Sequence, residues 1–517
     1  MKNKTKTILK IHLLEIALIL LSLPACSNTQ TTAAKRRVVK KKSKKNNQPK
    51  NKTTPSLPSS PPQTSPPTFS NSQLVQFKNN IPYLNEKLLQ RHNLQILWTL
   101  PIRDKTSPSQ NGQLHALYLQ DDSLYAFATV SNQKFLIRIT RLNGDPKWVY
   151  EFPKGINFSP TVYNYTKEYR KYVNKEAANE VFVISKDRLY CLDKKFGIAL
   201  WSISLGGITP SAPPGVHRDY VYVCGFDDRI YAFSKKYKSE RWRFRADKEI
   251  IATPVTAPPE SRRDIVYVAS TDGRVYALNA LTGNFAWSQY YQTYKSILAP
   301  PVFHQSRLYV ASTDYDVYCL NAANGLLEWR YSCEAPIETP PVAIGRTIYV
   351  IAKNKGLYSL FDKKITGSMP RSSQLNWKYP PTQHTVWLTN GKILYGEIVS
   401  VGMDNLEIIL KNGKRLVLDR SYDVKKYSFG SQTPISEMPI QILAKGKKIL
   451  YVLNQKKEIC AINDKNGLLL WKIPAQNVDF FLTNPNYHKD KIRKKRKFAS
   501  ILYLGFKNGW IVALKEK

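Results

Sequence analysis

Apolar and polar positions alternate along the chain in short runs, and one arrangement of runs recurs. Val266-Tyr267-Val268-Ala269-Ser270-Thr271-Asp272-Gly273 leads into Arg274-Val275-Tyr276-Ala277-Leu278-Asn279. Leu308-Tyr309-Val310-Ala311-Ser312-Thr313-Asp314 leads in the same way into Val317-Tyr318-Cys319-Leu320-Asn321. Runs of this kind on both sides of Asp272-Gly273 predict a tight β-hairpin, with a type I′ turn whose two central residues take positive φ. A glycine stands four residues before a tryptophan at Gly144, Gly197, Gly283, Gly325 and Gly467, which predicts a second turn and a further strand carrying the tryptophan. Ahead of each hairpin a proline opens another strand, as in Ser159-Pro160, Thr253-Pro254, Pro300-Pro301 and Pro340-Pro341. The first position of a strand needs no ladder donor, so proline fits there. Each unit is therefore expected to hold four strands and three turns.

The tryptophans set the period. Trp98, Trp148, Trp201, Trp242, Trp287, Trp329, Trp377 and Trp471 are separated by 50, 53, 41, 45, 42, 48 and 94 residues. A β-rich repeat of about 40 to 50 residues predicts a propeller. The last unit, 501–515 with its Asn508-Gly509 turn, lacks a tryptophan strand, whereas 94–100 around Trp98 is a tryptophan strand without a hairpin. Joining the two completes one blade and removes two open sheet edges. The expectation is an all-β, eight-bladed β-propeller over 93–517, with N- and C-terminal strands closing one blade. The long gap before Trp471 leaves room for an insertion at 382–430. There Val386-Trp387-Leu388, 393–401, 406–410 and 415–418 alternate between Asn390-Gly391 and Asn412-Gly413. That pattern suits a small SH3-like β module or two elongated hairpins.

Tyr276-Ala277-Leu278-Asn279 with Thr282-Gly283 and Trp287 resembles the pyrroloquinoline-quinone (PQQ) repeat, roughly YALD-x-x-TG-x-x-x-W. The resemblance covers 93–517 apart from the insertion. Two groups share this repeat, the quinoprotein dehydrogenases and the outer-membrane assembly lipoprotein BamB with its relatives. A propeller behind a lipoprotein signal, with little else attached, is more similar to the second. That resemblance implies a non-enzymatic scaffold supporting outer-membrane β-barrel assembly, with a protein partner in that machinery. The alternatives are a PQQ-dependent dehydrogenase and a binder of cell-envelope polymer. No contact residue of BamB is carried over, because no interface motif beyond the repeat is identifiable.

The N-terminus supplies the signal. Lys2, Lys4, Lys6 and Lys10 precede the apolar run 16–23, which is far shorter than the roughly 20 residues of a spanning helix. Leu23-Pro24-Ala25-Cys26 resembles a lipobox, which implies a signal peptide over 1–25 and lipidation of Cys26; ordinary cleavage after Ala25 is the alternative. Ser27 after the cysteine favours, by the same analogy, the periplasmic face of the outer membrane. Residues 26–92 read as a tether, with ten Lys/Arg and no acid from Lys35 to Lys52, then seven prolines from Pro49 to Pro67. Such a segment is extended by charge repulsion and polyproline II, spanning on the order of 45 Å or more. It could grip anionic lipid or cell-wall polymer, or act as a solubilising spacer.

Composition narrows the reading further. With 42% hydrophobic and 12% aromatic residues among 517, most of the chain must bury a core. The net charge of +40 calls for an anionic partner or surface; behind an export signal, nucleic acid is excluded as that partner. The charge clusters in the connection from first to second strand of several units. Candidate contacts are Lys491, Arg493, Lys494, Lys495, Arg496 and Lys497 in the last unit, Arg262 and Arg263 in the fourth, and Lys167, Arg170 and Lys171 in the second. Equivalent connections emerge on one side of a propeller, so a basic face is expected.

Catalytic chemistry has little support. The six cysteines include no adjacent pair and no Cys-x-x-Cys, and the seven histidines show no ligand spacing. Cys191 and Cys319 occupy the small slot held elsewhere by Ala232 and Ala277, and Cys224 that of Ala269, so buried thiols are expected; a disulfide among the remainder stays open. Asp187, Asp227, Asp272 and Asp314 fall at turns and have a turn-forming role first. No catalytic, cofactor or metal residue is assigned.

Overall fold

The computed structural model describes residues 86–103, 112–172, 177–258, 263–363, 374–381, 384–410, 414–428, 433–483 and 501–517, all in the compact unit spanning 59–517. The signal segment, Cys26, the basic and proline-rich run, Arg262 and the 491–497 cluster lie outside them.

The described chain is all-β, with short helices α1 (Glu86–Arg91) and α2 (Lys167–Tyr172). Eight antiparallel sheets of four strands follow one another: sheet 1 (113–151), sheet 2 (161–204), sheet 3 (215–245), sheet 4 (255–292), sheet 5 (302–332), sheet 6 (342–379), sheet 7 (439–474) and sheet 8 (480–516). The outer strand of sheet 8 is Leu94–Pro101, so the first and last of the described strands meet in one sheet, with Leu94 opposite Glu516 and Pro101 opposite Trp510. The prolines sit directly ahead of the inner strands Thr161–Tyr163, Val255–Thr256, Val302–His304 and Val342–Ile344.

The two middle strands of each sheet bury both faces, which explains their nearly unbroken apolar runs. Val266 and Val268 pack towards sheet 3, whereas Tyr267 and Ala269 on the opposite face pack towards sheet 5. Each pair of consecutive sheets shares its own apolar cluster, and Trp98, Ile511 and Ala513 of sheet 8 share one with Leu124 and Ala126 of sheet 1. The pairwise packing thus returns to its start. Four-stranded antiparallel sheets packed face to face in this order are β-propeller architecture.

A row of three residues crosses the sheets: tyrosine or phenylalanine, a small residue, then tryptophan. Phe182–Cys191–Trp201, Tyr222–Ala232–Trp242 and Tyr309–Cys319–Trp329 are in register. The small slot leaves room for two large rings on either side. In sheet 1 the slot holds Arg138, between Tyr125 and Trp148, and its guanidinium reaches out to Ser123 and to the Lys194 carbonyl. All five described cysteines are buried and free, and burial pushes the Cys460 thiol up to about 11.

The hairpin at Asp272-Gly273 differs from the type I′ expectation. Three residues, not two, separate Ser270 from Arg274, and of these only Gly273 has positive φ, at 82°. The Asp272 carboxylate accepts the Arg274 N–H at 2.7 Å and the Tyr276 hydroxyl at 2.6 Å, and Asp272 itself keeps a negative φ. The loop is a type I turn closed by a left-handed residue. Paired positive φ occurs instead at Ser131-Asn132 and Gln305-Ser306. Sheet 4 also departs from the pattern, since its outer strand is reduced to a bridge at Phe285 and to Tyr291–Gln292.

A separate antiparallel sheet occupies 384–428. Its five strands form a meander of four whose first strand also pairs with the fifth, Val424–Ser428. Val386, Leu394, Ile398, Leu406, Ile408 and Leu418 give it a core of its own. Ile409 packs with sheets 5 and 6, and Arg415 donates to the Leu375 carbonyl at 2.9 Å.

Candidate interaction face

Strands alternate direction, so two kinds of connection share one face: first to second strand, and third to fourth. The third-to-fourth turns carry the repeat glycines. Each glycine is placed against the tryptophan of the preceding sheet: Gly144 on Trp98, Gly197 on Trp148, Gly283 on Trp242, Gly325 on Trp287 and Gly467 on Trp377. The same indoles donate into the same turns. Trp98 reaches the Arg141 carbonyl at 3.1 Å, Trp148 Lys194 at 2.9 Å, Trp287 Ala322 at 3.1 Å and Trp377 Asp464 at 2.7 Å. The tyrosine of the row joins them, as Tyr222 does at Ala280 and Tyr267 at Ala322.

Three sites replace parts of this lock. Sheet 3 has Lys238 in place of the glycine, at φ 57°, with Nζ 4.5 Å from the Trp201 ring centre. In sheet 6 the buried Asp362 carboxylate, not a carbonyl, accepts the Trp329 N–H at 2.8 Å and pairs with Arg307. In sheet 8 the fourth strand is Leu94–Pro101, so among the described residues no such turn joins it to the third; His92 lies against Trp471 instead, ring centres 4.7 Å apart, above the buried Leu89 and Leu94.

Of the basic residues expected on this face, Lys167, Lys171 and Arg263 are exposed. Lys167, Arg170 and Lys171 lie on α2 in the first-to-second connection of sheet 2. Arg170 is taken up internally, its Nε donating to the Ala177 carbonyl at 2.9 Å and its Nη2 to Asn179. Arg263 lies in the corresponding connection of sheet 4, two residues before its second strand begins at Ile265. Further cations on the face lay outside the sequence expectation: Lys195, Lys236, Lys238, Arg346, Lys447, Lys448 and Lys465 are all exposed. They stand singly or in pairs at different turns, so no charge run in the sequence marks them as a group.

Ion pairs fasten neighbouring sheets at the same level. Lys194 Nζ lies 2.8 Å from Asp121 and 2.9 Å from Asp122. Lys235 Nζ lies 2.7 Å from Glu180, enclosed by Tyr163 and Phe182. His217 is buried, donating to Asp264 at 3.1 Å while its Nδ1 accepts the Asp219 N–H at 3.3 Å. Burial holds its imidazole below the usual value of 6.5, against the opposite pull of Asp264. The unfolded chain therefore binds a proton here before the folded one does, so stability is lost as pH falls through about 6.5. Urea unfolding at about pH 7.5 and 5.5 is expected to show a smaller acid loss for His217→Gln than for the wild type. An unchanged loss would remove His217 from this account.

No group of metal-ligating side chains occurs among the described residues, and none of their helices is long and apolar enough to cross a membrane. The sheets, the Gly–Trp turns and the tyrosine–small–tryptophan rows define a β-propeller built from PQQ-like repeats. Residues 185–299 and 293–415 match the family model described as outer membrane protein assembly factor BamB, so this part of the chain carries PQQ-like repeats similar to those of that family. Among solved structures, BamB from Moraxella catarrhalis is similar with 12% identity and a TM-score of 0.49, over 82% of this chain and 98% of that one. The computationally designed Ika8 protein is similar with 13% identity and a TM-score of 0.48, over 81% and 99%. No curated protein matches.

Proposed function

We propose that this chain is a lipid-anchored scaffold of the cell envelope that supports insertion of β-barrel proteins into the outer membrane, as the family description implies. The observation that carries the reading is the match of 185–299 and 293–415 to the family model of an outer membrane assembly factor. Leu23-Pro24-Ala25-Cys26 supports it by offering a lipidation site at Cys26 and a place at the periplasmic face. In this reading 93–517 is one eight-bladed ring, with 382–430 inserted as an SH3-like module whose strand order, fifth beside first, suits that fold. The basic face, including Lys167, Lys171, Arg262, Arg263 and the 491–497 cluster, meets an anionic partner. No step of chemistry is assigned to the chain.

Cross-linking in intact outer membranes followed by affinity recovery of the tagged chain tests this. Barrel-assembly components are expected with the wild type and are expected to be lost with Cys26→Ser, which shifts the chain to the soluble fraction. Recovery of glycan alone would replace the reading with envelope-polymer binding. A bound chromophore after incubation with PQQ and Ca²⁺ would replace it with a dehydrogenase.

A further inference from the structure

Two neighbouring turns break the repeat's own pattern in the same way. The position before the turn glycine is Asn143, Thr282, Asn324 and Asn466 in sheets 1, 4, 5 and 7. In sheet 2 it is Phe196 and in sheet 3, before Lys238, it is Tyr237; they are 51% and 58% exposed. Both turns read Lys-Lys-aromatic. The first lysine of each, Lys194 or Lys235, is the buried one that pairs with acids of the preceding sheet. The second is exposed beside the ring, with Lys195 Nζ 4.5 Å from the Phe196 centre and Lys236 Nζ 5.2 Å from that of Tyr237. The backbone of each turn is fixed as well: Phe196 N–H donates to Asp193 at 2.8 Å and Tyr237 N–H to Ser234 at 3.2 Å. The rings are thus held outwards on stapled turns, which lowers the entropy cost of burying them in a partner.

The point where the chain enters the propeller lies on the same face. Leu94 pairs with Glu516 at the end of sheet 8 where the other sheets have their third-to-fourth turn. Trp98, four residues on, docks on the Arg141 carbonyl in the turn of sheet 1, whose next residue, Leu142, is 44% exposed. Entry point, Leu142, Phe196 and Tyr237 therefore follow one another around one face.

We propose that the turns 141–144, 194–197 and 235–238 form an edge that rests on an anionic bilayer. Leu142, Phe196 and Tyr237 enter the boundary between headgroups and acyl chains, and Lys195 and Lys236 meet lipid phosphates. Aromatic rings with a polar tip or a cationic neighbour suit that boundary, and basic side chains are drawn to anionic headgroups. The setting rests on the lipid-anchored reading above, because a chain tethered at this face keeps the bilayer within reach; the surface itself is testable without the anchor.

The test is co-sedimentation of the full chain carrying Cys26→Ser with vesicles of phosphatidylethanolamine and phosphatidylglycerol. Phe196→Ser/Tyr237→Ser is expected to lower the partition coefficient about tenfold, and Lys195→Ser/Lys236→Ser about fivefold with the difference vanishing at high salt. Phe226→Ser, an equally exposed aromatic (53%) on the opposite face, leaves partitioning unchanged. The basic run 35–52 is common to all variants, and an unaltered melting temperature confirms that each is folded. Unchanged partitioning of Phe196→Ser/Tyr237→Ser overturns the proposal, as does an equal loss with Phe226→Ser; an acidic protein partner for these turns would give the first of these results. Failure of the assembly reading would show in the cross-linking experiment and not in vesicle binding.

Discussion

Gly325→Ala is expected to destabilise the chain by about 3 kcal/mol, against about 1 kcal/mol for Gly206→Ala. Both glycines have positive φ, 76° and 59°, so both variants meet the left-handed strain of an L-residue. Only Gly325 meets a neighbour. An alanine Cβ there would lie 2.5 Å from the Trp287 ring, whereas at Gly206 nothing lies within 4 Å. Trp287 cannot give way easily, being 3% exposed and held at the Ala322 carbonyl. The added cost is that of overpacking a fixed contact, about 1–3 kcal/mol. Denaturant unfolding of the two variants measures the difference. Equal costs would show that the repeat glycine serves only its turn, with no part in seating the next sheet.

A chain beginning at residue 102 is expected not to reach the native fold, while one beginning at residue 82 unfolds as the intact chain does. The segment Leu94–Pro101 is the outer strand of the last sheet and carries the buried Leu94, Trp98 and Leu100. Each such side chain contributes about 2–3 kcal/mol by burial, and a typical domain is stable by only about 5–15 kcal/mol. Without this strand the ladder edge 510–516 is left open, and the turn at Arg141 loses its indole partner. An open apolar edge favours aggregation. Circular dichroism and size-exclusion chromatography would separate the outcomes. Adding a synthetic peptide of residues 86–103 should restore the folded monomer. Equal melting of the two chains would contradict the closing role of this strand.

Much of this architecture was legible in the amino-acid order because it repeats. Gly–Trp spacing marked the turn and the tryptophan strand of each unit, though not the contact each glycine makes with the tryptophan of the preceding sheet, and the tryptophan strand at Trp98 could be matched to the unit that lacked one. The substitutions within the lock were not legible. Lys238 stands where glycine is expected and sets its ammonium over the Trp201 ring, and the Asp362 carboxylate replaces a backbone carbonyl; both work through geometry between sheets that no linear spacing encodes. The type I′ expectation failed because it counted the loop at Asp272-Gly273 as two residues, and the third became evident only from the Ser270–Arg274 pairing. The face was partly legible. Charge runs pointed to the first-to-second connections, yet Arg170 is spent inside its own loop. Phe196 and Tyr237 look like ordinary repeat variation until the turns are set side by side.

In the proposed role the chain serves barrel assembly and carries out no reaction of its own. Quantitative proteomics of outer membranes from cells lacking it, complemented with the wild type or left without, tests that role. The expected result is a several-fold fall in β-barrel proteins, restored by the wild type, with other envelope lipoproteins unchanged. Unchanged β-barrel levels, together with loss of a PQQ-dependent oxidation, would contradict it.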